Sequence, residues 1–417
     1  MSDSTSYINY SMKKINLVHS DLDSNGDMRW PNGVHQNQNI LTTQNRSPSG
    51  NFYADSFKSN NWMNKCTFDT IPANEKYVFP IYVECNRFWN SIYSSTPLDI
   101  PARVIADINC DRARLIFFMI KEGQGFQMDE RIQFIKNQMQ LLNLNSKHIY
   151  YIDGNAKTNQ VLSLHGIKGL THNYWLDFNM AIDTTDIIND MVDRKYRAYK
   201  FLSFNRCARD FRAILISRLI NADVDRGSIL TCSDMYESTP FSFTQSIMEE
   251  MDIIKKSNIF PRIHDTLDYV YSNPINVNLS THIDSYINIC TETFYSHQAD
   301  RLFFSEKSFK PIICLQPFIL VGQPKSLEYL KINGFKTFHP YINEDYDQEI
   351  NDAARLDMIV KEVIRLNRLA IGELHTLLLN LLPVLQHNAN WYKHQFTNNI
   401  QDETTINNIF DTWNDTI

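Results

Sequence analysis

The stretch Ala113-Arg-Leu-Ile-Phe-Phe-Met-Ile120, read with the forty residues around it, decides the fold. It is a continuous apolar run, bounded by charge on one side and by Glu122-Gly123-Gln124-Gly125 on the other. Such a run suits a strand buried on both faces of a parallel sheet. Beyond it Ile132, Ile135, Met139 and Leu142 recur at spacings of three or four, which is one face of a helix. A second strand, His148-Ile-Tyr-Tyr-Ile152, then ends at Asp153-Gly154-Asn155. Strand, helix and strand make a β-α-β unit with a right-handed crossover.

Tyr77-Val-Phe-Pro-Ile-Tyr-Val83, further upstream, is strand-like. From Met1 to about Thr70 the chain is polar and rich in Ser, Asn and Asp, and reads as long loops with short strands. A second series starts near Tyr199: strand to Phe204, helix over about Ala208 to Ile220, strand over about Ser228 to Cys232. It continues with a strand at Ser285 to Thr291, a helix around Lys307 to Cys314, a strand at Pro317 to Val321 and a helix from Lys325 to Ile332 stopped by Gly334. Leu356, Ile359, Val360, Val363 and Ile364 share one helical face, and an apolar stretch from Leu374 to Leu385 is expected to bend or break at Pro383. The expected class is α/β, with two Rossmann-like domains of mostly parallel strands. The first covers residues 1–190 and the second residues 191–417, with a charged linker near Asp183 to Tyr199 and closing C-terminal helices that pack back across the cleft.

The 417 residues are 43% hydrophobic and 12% aromatic, enough for large cores, so a disordered or fibrous chain is excluded. A net charge of -7 argues against a protein that coats nucleic acid through wholesale phosphate neutralisation, though a local basic site remains allowed. The 7 cysteines are scattered without a C-x-x-C pair, which reads as a reduced chain without a zinc ribbon. No apolar run approaches the roughly 18 residues of a spanning helix, and the start lacks a signal-like core. The expectation is a soluble cytoplasmic protein with no membrane span, located in the host cytoplasm if the chain is viral. No glycine-rich phosphate motif occurs, so phosphate would be held by side chains and helix ends.

Three constellations could carry chemistry. In Phe201-Leu-Ser-Phe-Asn-Arg-Cys-Ala-Arg-Asp-Phe-Arg212 a strand ends, Asn205 turns the chain, and Arg206, Arg209 and Arg212 fall where a helix begins. Arginine forks there suit a diphosphate, unless they are solvated helix residues pairing with Asp210 or Asp223. In the second, Glu292 and Thr293 stand at a strand end and Ser305 can cap a helix opening with Glu306, Lys307 and Lys310. A carboxylate beside two lysines can hold a polyol and a phosphate together; an ordinary capped helix would look the same. Pro311 requires that this helix start late or kink. The third, Gly334-Phe335 with Glu344, Asp345 and Asp347, reads as structure. In the first half Asp153 and Glu122 end strands and are the candidate general bases. The 12 histidines make no close ligand pair, so no metal is expected.

Ser305-Glu-Lys-Ser-Phe-Lys-Pro-Ile312, with Glu292-Thr293 before it and Gln316-Pro-Phe-Ile-Leu-Val-Gly322 after it, resembles glycosyltransferases of the two-Rossmann-domain (GT-B) architecture. Together with Phe201-Leu-Ser-Phe-Asn-Arg206 and the segment Gly334 to Asp347 it looks like glycosyltransferase sequences common in phage and other viral genomes. The Ser-Glu-Lys core is similar to the donor motif of fucosyltransferases and exostosin-type enzymes. The resemblance covers roughly Tyr199 to Asn367; the first half matches in architecture alone.

That resemblance implies an enzyme using a nucleotide sugar, UDP- or GDP-linked, with no required metal and no tightly bound cofactor. Asn205, Arg206, Arg209, Glu292, Thr293, Ser305, Glu306, Lys307 and Lys310 would lie around the donor. An E-x7-E pair is missing, since Cys314 stands eight residues after Glu306, so the stereochemical outcome stays open. The acceptor hydroxyl would belong to a 5-hydroxymethyl pyrimidine in duplex DNA, guided by basic patches at Arg112/Arg114, Lys195/Arg197/Lys200 and Arg206/Arg209, or else to a surface glycan or a protein. A non-catalytic nucleotide- or sugar-binding interaction protein is the alternative from another class. A metal-dependent DNA enzyme is a third reading, which would need clustered carboxylates. Oligomeric state is not set by the sequence.

Overall fold

A computed structural model describes residues 15–19, 21–22, 28–29, 63–67, 71, 73–83, 98, 100–119, 128–171, 184–193, 196–205, 208–233, 236–237, 245–257, 261, 277, 279–297 and 301–398. The chain divides into two compact units, residues 1–172 with 399–417, and residues 173–398. Both are α/β, and each is built on a parallel sheet.

The first unit holds strands β1 (Ile15–His19), β4 (Met63–Thr67), β5 (Tyr77–Val83), β6 (Ala113–Met119), β7 (Ile149–Asp153) and β8 (Lys168–Thr171). They stand in the order β4-β1-β5-β6-β7-β8, all parallel. The short strands β2 (Asp21–Leu22) and β3 (Met28–Arg29) form an antiparallel pair apart from this sheet. Among the described residues the helices of this unit are α1 (Ala102–Asn109), α2 (Met128–Leu141) and α3 (Thr158–Ser163). All five residues of β7 are buried, as expected for a strand covered on both faces. Ile132 and Ile135 of α2 enter the core with Leu115, Phe117 and Tyr151, and Met139 and Leu142 pack against its edge.

Two expectations change here. The polar segment before Thr70 contributes β1 and β4 to the main sheet, and β1 lies inside it rather than at its edge. Ile-Asn-Leu-Val-His and Met-Asn-Lys-Cys-Thr are too short and too polar to announce themselves by periodicity, and only their ladders define them. The stretch read as a linker is instead helix α4 (Thr184–Asp193), which buries Ile187 and Met191 and falls within the second unit. Its apolar residues are four apart, the spacing of one helical face, among charges that had suggested a linker.

In the second unit β9 (Tyr199–Ser203), β11 (Ile229–Leu230), β13 (Ser285–Thr291) and β14 (Phe318–Val321) form a parallel sheet in the order β11-β9-β13-β14. The chain therefore builds outward from β9 to β11, returns, and continues on the other side through β13. That reversal between β9 and β13 is a topological switch point, where open α/β sheets leave a crevice beyond the strands' carboxyl ends. Every residue of β13 and β14 is buried. A separate two-stranded pair joins β10 (Ala208–Arg209) to β12 (Tyr236–Glu237). After α4, the helices among the described residues of this unit are α5 (Asp210–Asn221), α6 (Gln245–Lys256), α7 (Leu279–Ile283), α8 (Glu306–Ile313), α9 (Ser326–Ile332), α10 (Asp352–Asn367) and α11 (Ile371–Asn398).

Helix α8 begins immediately after Ser305, not later, and accommodates Pro311 near its end. Helix α11 runs unbroken through Pro383. It packs on α8, with the Phe309 and Tyr392 rings 5.6 Å apart. Gly334 closes α9 at φ +87, and the Trp391 indole of α11 occupies the space a side chain there would need.

Candidate functional site at the switch point

Asn205, just beyond β9, is buried and bonds three strands together. Its amide nitrogen donates to Ser203 Oγ (3.1 Å) and the Thr231 carbonyl (3.0 Å), while its oxygen accepts from Thr291 Oγ1 (2.6 Å). Ser203 Oγ in turn donates to the Ile289 carbonyl at 3.0 Å. The switch point is thereby held rigid by side chains rather than by the ladder alone.

Arg209 and Arg212 flank the same strand ends and are both buried. Arg209 Nη1 donates to the Thr293 carbonyl, and Arg212 Nη2 donates to the Glu292 carbonyl at 2.7 Å and the Thr291 carbonyl at 3.3 Å. The forks expected to face a diphosphate thus hold the carbonyls at the end of β13. Arg206 and Glu122 lie outside the described residues.

Glu292 follows β13 and is 1% exposed. Its carboxylate accepts from the Thr293 amide (3.1 Å), the Ser305 amide (3.1 and 3.2 Å), Ser305 Oγ (2.7 Å) and Ser308 Oγ. These bonds fasten the N-terminal turn of α8 to the carboxyl end of β13. Ser305 is the N-cap, its hydroxyl accepting from the Lys307 amide at 3.3 Å.

In that turn Glu306 Oε1 pairs with Lys307 Nζ at 2.8 Å, and Lys307 Nζ also reaches Ser305 Oγ at 3.3 Å. Glu306 Oε2 is buried with no hydrogen-bond partner, and so is the hydroxyl of Thr293. Burial by itself would push the Glu306 carboxyl up, but Lys307 and Lys310 outweigh it and hold it below its ordinary value. Lys310, half-buried one turn on, has its ammonium pKa lowered by burial and pulled partly back by Glu306. Burial raises the Cys290 thiol well above its usual range, which leaves it an inert neighbour. The turn therefore combines an ionised acid whose second oxygen has no hydrogen-bond partner, two ammonium groups and the positive end of a helix dipole.

Elsewhere the candidates are engaged with the protein itself. Asp153 is buried, bonded to Arg131 and accepting from Tyr151 Oη (2.8 Å) and the Asn155 amide (3.1 Å). A base must have an oxygen available for the incoming proton, and here three donors point at this carboxylate. Arg112 bonds Asp107, Arg114 bonds Asp111 and the Ala113 carbonyl, Arg197 bonds the Ser285 carbonyl, and Lys200 bonds the Asn367 and Leu369 carbonyls at the end of α10. The basic residues expected to guide a duplex thus have internal partners; Lys195 lies outside the described residues. Asp347 caps α9 through the Leu327 (2.9 Å) and Glu328 (3.0 Å) amides, and Glu344 accepts from Thr337 and Phe338, so the third constellation is structural. Among the described residues no group of three or more His, Cys, Asp and Glu could hold a metal, and no single helix is long and apolar enough to cross a membrane.

Sequence reasoning missed Ser308 and Gly322. Ser308, quoted within the α8 stretch but given no role, bonds Glu292, and Gly322 leaves the room that the Glu292 side chain occupies, a Cβ there standing 3.3 Å from Glu292 Cβ. The Ser-x-x-Ser spacing, one helical turn, was the available signal.

The chain matches no family model and no curated protein sequence. Among solved structures it is similar to the N-terminal domain of trehalose-6-phosphate phosphatase from Candida albicans, at 10% identity and a TM-score of 0.36, over 98% of this chain and 99% of that one. It is also similar to an alpha1,3-fucosyltransferase, at 10% identity and a TM-score of 0.31, over 93% of each chain. Likeness this slight leaves the functional argument to the residues.

Proposed function

We propose that the protein is a glycosyltransferase that moves a sugar from a UDP- or GDP-linked donor to an acceptor hydroxyl, in the GT-B manner. The observation that carries the reading is the first turn of α8 at the switch point, where Lys307 and Lys310 flank Glu306 with its buried, unpartnered Oε2. In the reaction the acceptor oxygen attacks the anomeric carbon and the diphosphate leaves with the bond electrons. Lys307 and Lys310, with the helix N-terminus, stabilise the charge that develops on it. Glu306 Oε2 accepts a hydroxyl of the donor. Thr293 Oγ1 is the second polar atom available there, and Asn205, Arg209, Glu292 and Ser305 build the wall behind it. Arg206 belongs to this donor set by resemblance alone. Glu122 is the acceptor-side base candidate by its place in the sequence beyond β6, whereas Asp153, the last residue of β7, is engaged by Arg131, Tyr151 and Asn155 and takes no catalytic role in this reading. For the acceptor, the resemblance favours a 5-hydroxymethyl pyrimidine in DNA over a surface glycan or a protein.

Calorimetric titration with UDP, GDP and their sugars tests the reading, followed by a donor-by-acceptor screen by mass spectrometry that includes duplex DNA carrying 5-hydroxymethyl pyrimidines. Binding with slow donor hydrolysis, weakened about tenfold or more by Lys307→Ala, is the expected result. Binding without turnover on any acceptor would instead make the chain a nucleotide- or sugar-binding module. Absence of all nucleotide binding would sink the proposal, and transfer to a glycan but no DNA would overturn the acceptor.

A further inference from the structure

We infer that Glu292 is a positioning residue that acts on Lys307 through the hydroxyl of Ser305. The inference rests on the donor reading, in which the Lys307 ammonium meets the leaving diphosphate, and it gives Glu292 a role without contact to the donor. Four groups donate to the Glu292 carboxylate: two backbone amides, from Thr293 and Ser305, and the hydroxyls of Ser305 and Ser308. At 1% exposure, and with both oxygens in use, it has little capacity left for a sugar hydroxyl.

The hydroxyl of Ser305 carries a single proton, and Glu292 Oε2 takes it at 2.7 Å. Its lone pairs are then left facing Lys307, whose backbone amide and ammonium both lie 3.3 Å away. Were the proton free to rotate, it could point at the ammonium instead and repel it. Glu292 thus makes Ser305 an acceptor toward Lys307, while Ser308 pins the next turn to the same carboxylate. Glu306 Oε1 holds the ammonium from another direction at 2.8 Å. Gly322 supplies the space that lets the Glu292 side chain reach this turn.

A glutamine at 292 keeps the volume but replaces one acceptor oxygen with an NH2 donor. Facing donors from Ser305 and Ser308, it would force the Ser305 proton to turn away, and Lys307 would lose its fixed direction. The test is a cycle of calorimetric titrations with UDP and GDP on the full chain, using wild type, Glu292→Gln, Lys307→Ala and the double variant. Glu292→Gln is expected to weaken binding about tenfold when Lys307 is present and by less than about twofold when it is absent. An equal loss in both backgrounds would overturn the inference. Should Glu292→Gln not fold, Ser305→Ala carries the same cycle.

Competitive acetylation of lysines, read by mass spectrometry against Lys331, reports on Lys307 without any ligand. A changed Lys307 reactivity in Glu292→Gln and Ser305→Ala is expected, and unchanged reactivity refutes the coupling even if nucleotides bind. Changed reactivity in those variants, together with a wild type that binds neither nucleotide, would leave the coupling standing and remove the donor reading.

Discussion

His282, in α7, shows how a single buried group sets a pH dependence. Its Nδ1 lies 2.7 Å from Gln316 Oε1, and Gln316 Nε2 donates to the Ser285 carbonyl at 3.0 Å, so the imidazole is the donor. Burial lowers its pKa from 6.5 to about 4, with Lys310 and Arg197 adding to the effect and the Gln316 bond opposing it. Between those values the unfolded chain takes up a proton that the folded chain refuses. The contribution is therefore complete above about pH 6.5 and is lost as pH falls through about 4, amounting to about 3 kcal/mol in order of magnitude. Denaturant melts across this window should show that slope in wild type and a flatter one in His282→Asn, which keeps a donor but does not titrate. At the same scale, Arg131→Ala strands the buried Asp153 carboxylate and should cost about 3–5 kcal/mol by chemical denaturation. Restored stability in an Arg131→Ala/Asp153→Ala double variant would confirm that the loss lies in the unpaired charge.

Among the elements, caps and stops do more than propensity. Helix α10 begins at Asn351, whose side chain accepts from the Ala354 amide at 3.0 Å. Asn351→Ala should lower stability by about 1 kcal/mol, read as a shift of the denaturant midpoint at constant slope. Gly334 is a stricter case. Its φ of +87 is costly for any side chain, and an added Cβ would come within 2.6 Å of Trp391. Gly334→Ala is expected to destabilise by about 1–3 kcal/mol, since α9 and α11 must separate or the indole must move. The N-terminus and stop of α9 were legible from Lys325 and Gly334, but the cap that Asp347 supplies comes from a 3-10 turn, Asp345–Gln348, beyond the helix. Likewise Ser305 was readable as a cap because the signal is local. Its bond to Glu292, thirteen residues earlier, was not, because the intervening loop sets that distance.

For the whole molecule, two units with separate parallel sheets imply two cooperative cores. Calorimetric unfolding should resolve more than one transition, with Arg131→Ala moving one and Gly334→Ala the other; movement of a single common transition by both would contradict this. The two main sheets also share a strand order: with only the strands of each sheet numbered in chain order, the second runs 2-1-3-4 and the first begins 2-1-3-4. In the second unit the switch point falls between β9 and β13, where Asn205, Glu292 and the first turn of α8 converge. The α/β class, most elements of the second unit and the polar residues worth attention were all present in the order of strands, helices and caps along the chain. That much is local, because periodicity and capping report on neighbours within a turn or two. Which of those polar residues are consumed by the fold and which stay open was decided by tertiary structure. Arg209 and Arg212 spend their forks on strand-end carbonyls, Glu292 spends both oxygens on the α8 turn, and Glu306 keeps one. The reason is physical: a buried polar group must find partners, and a sequence reveals the group while only packing supplies the partner.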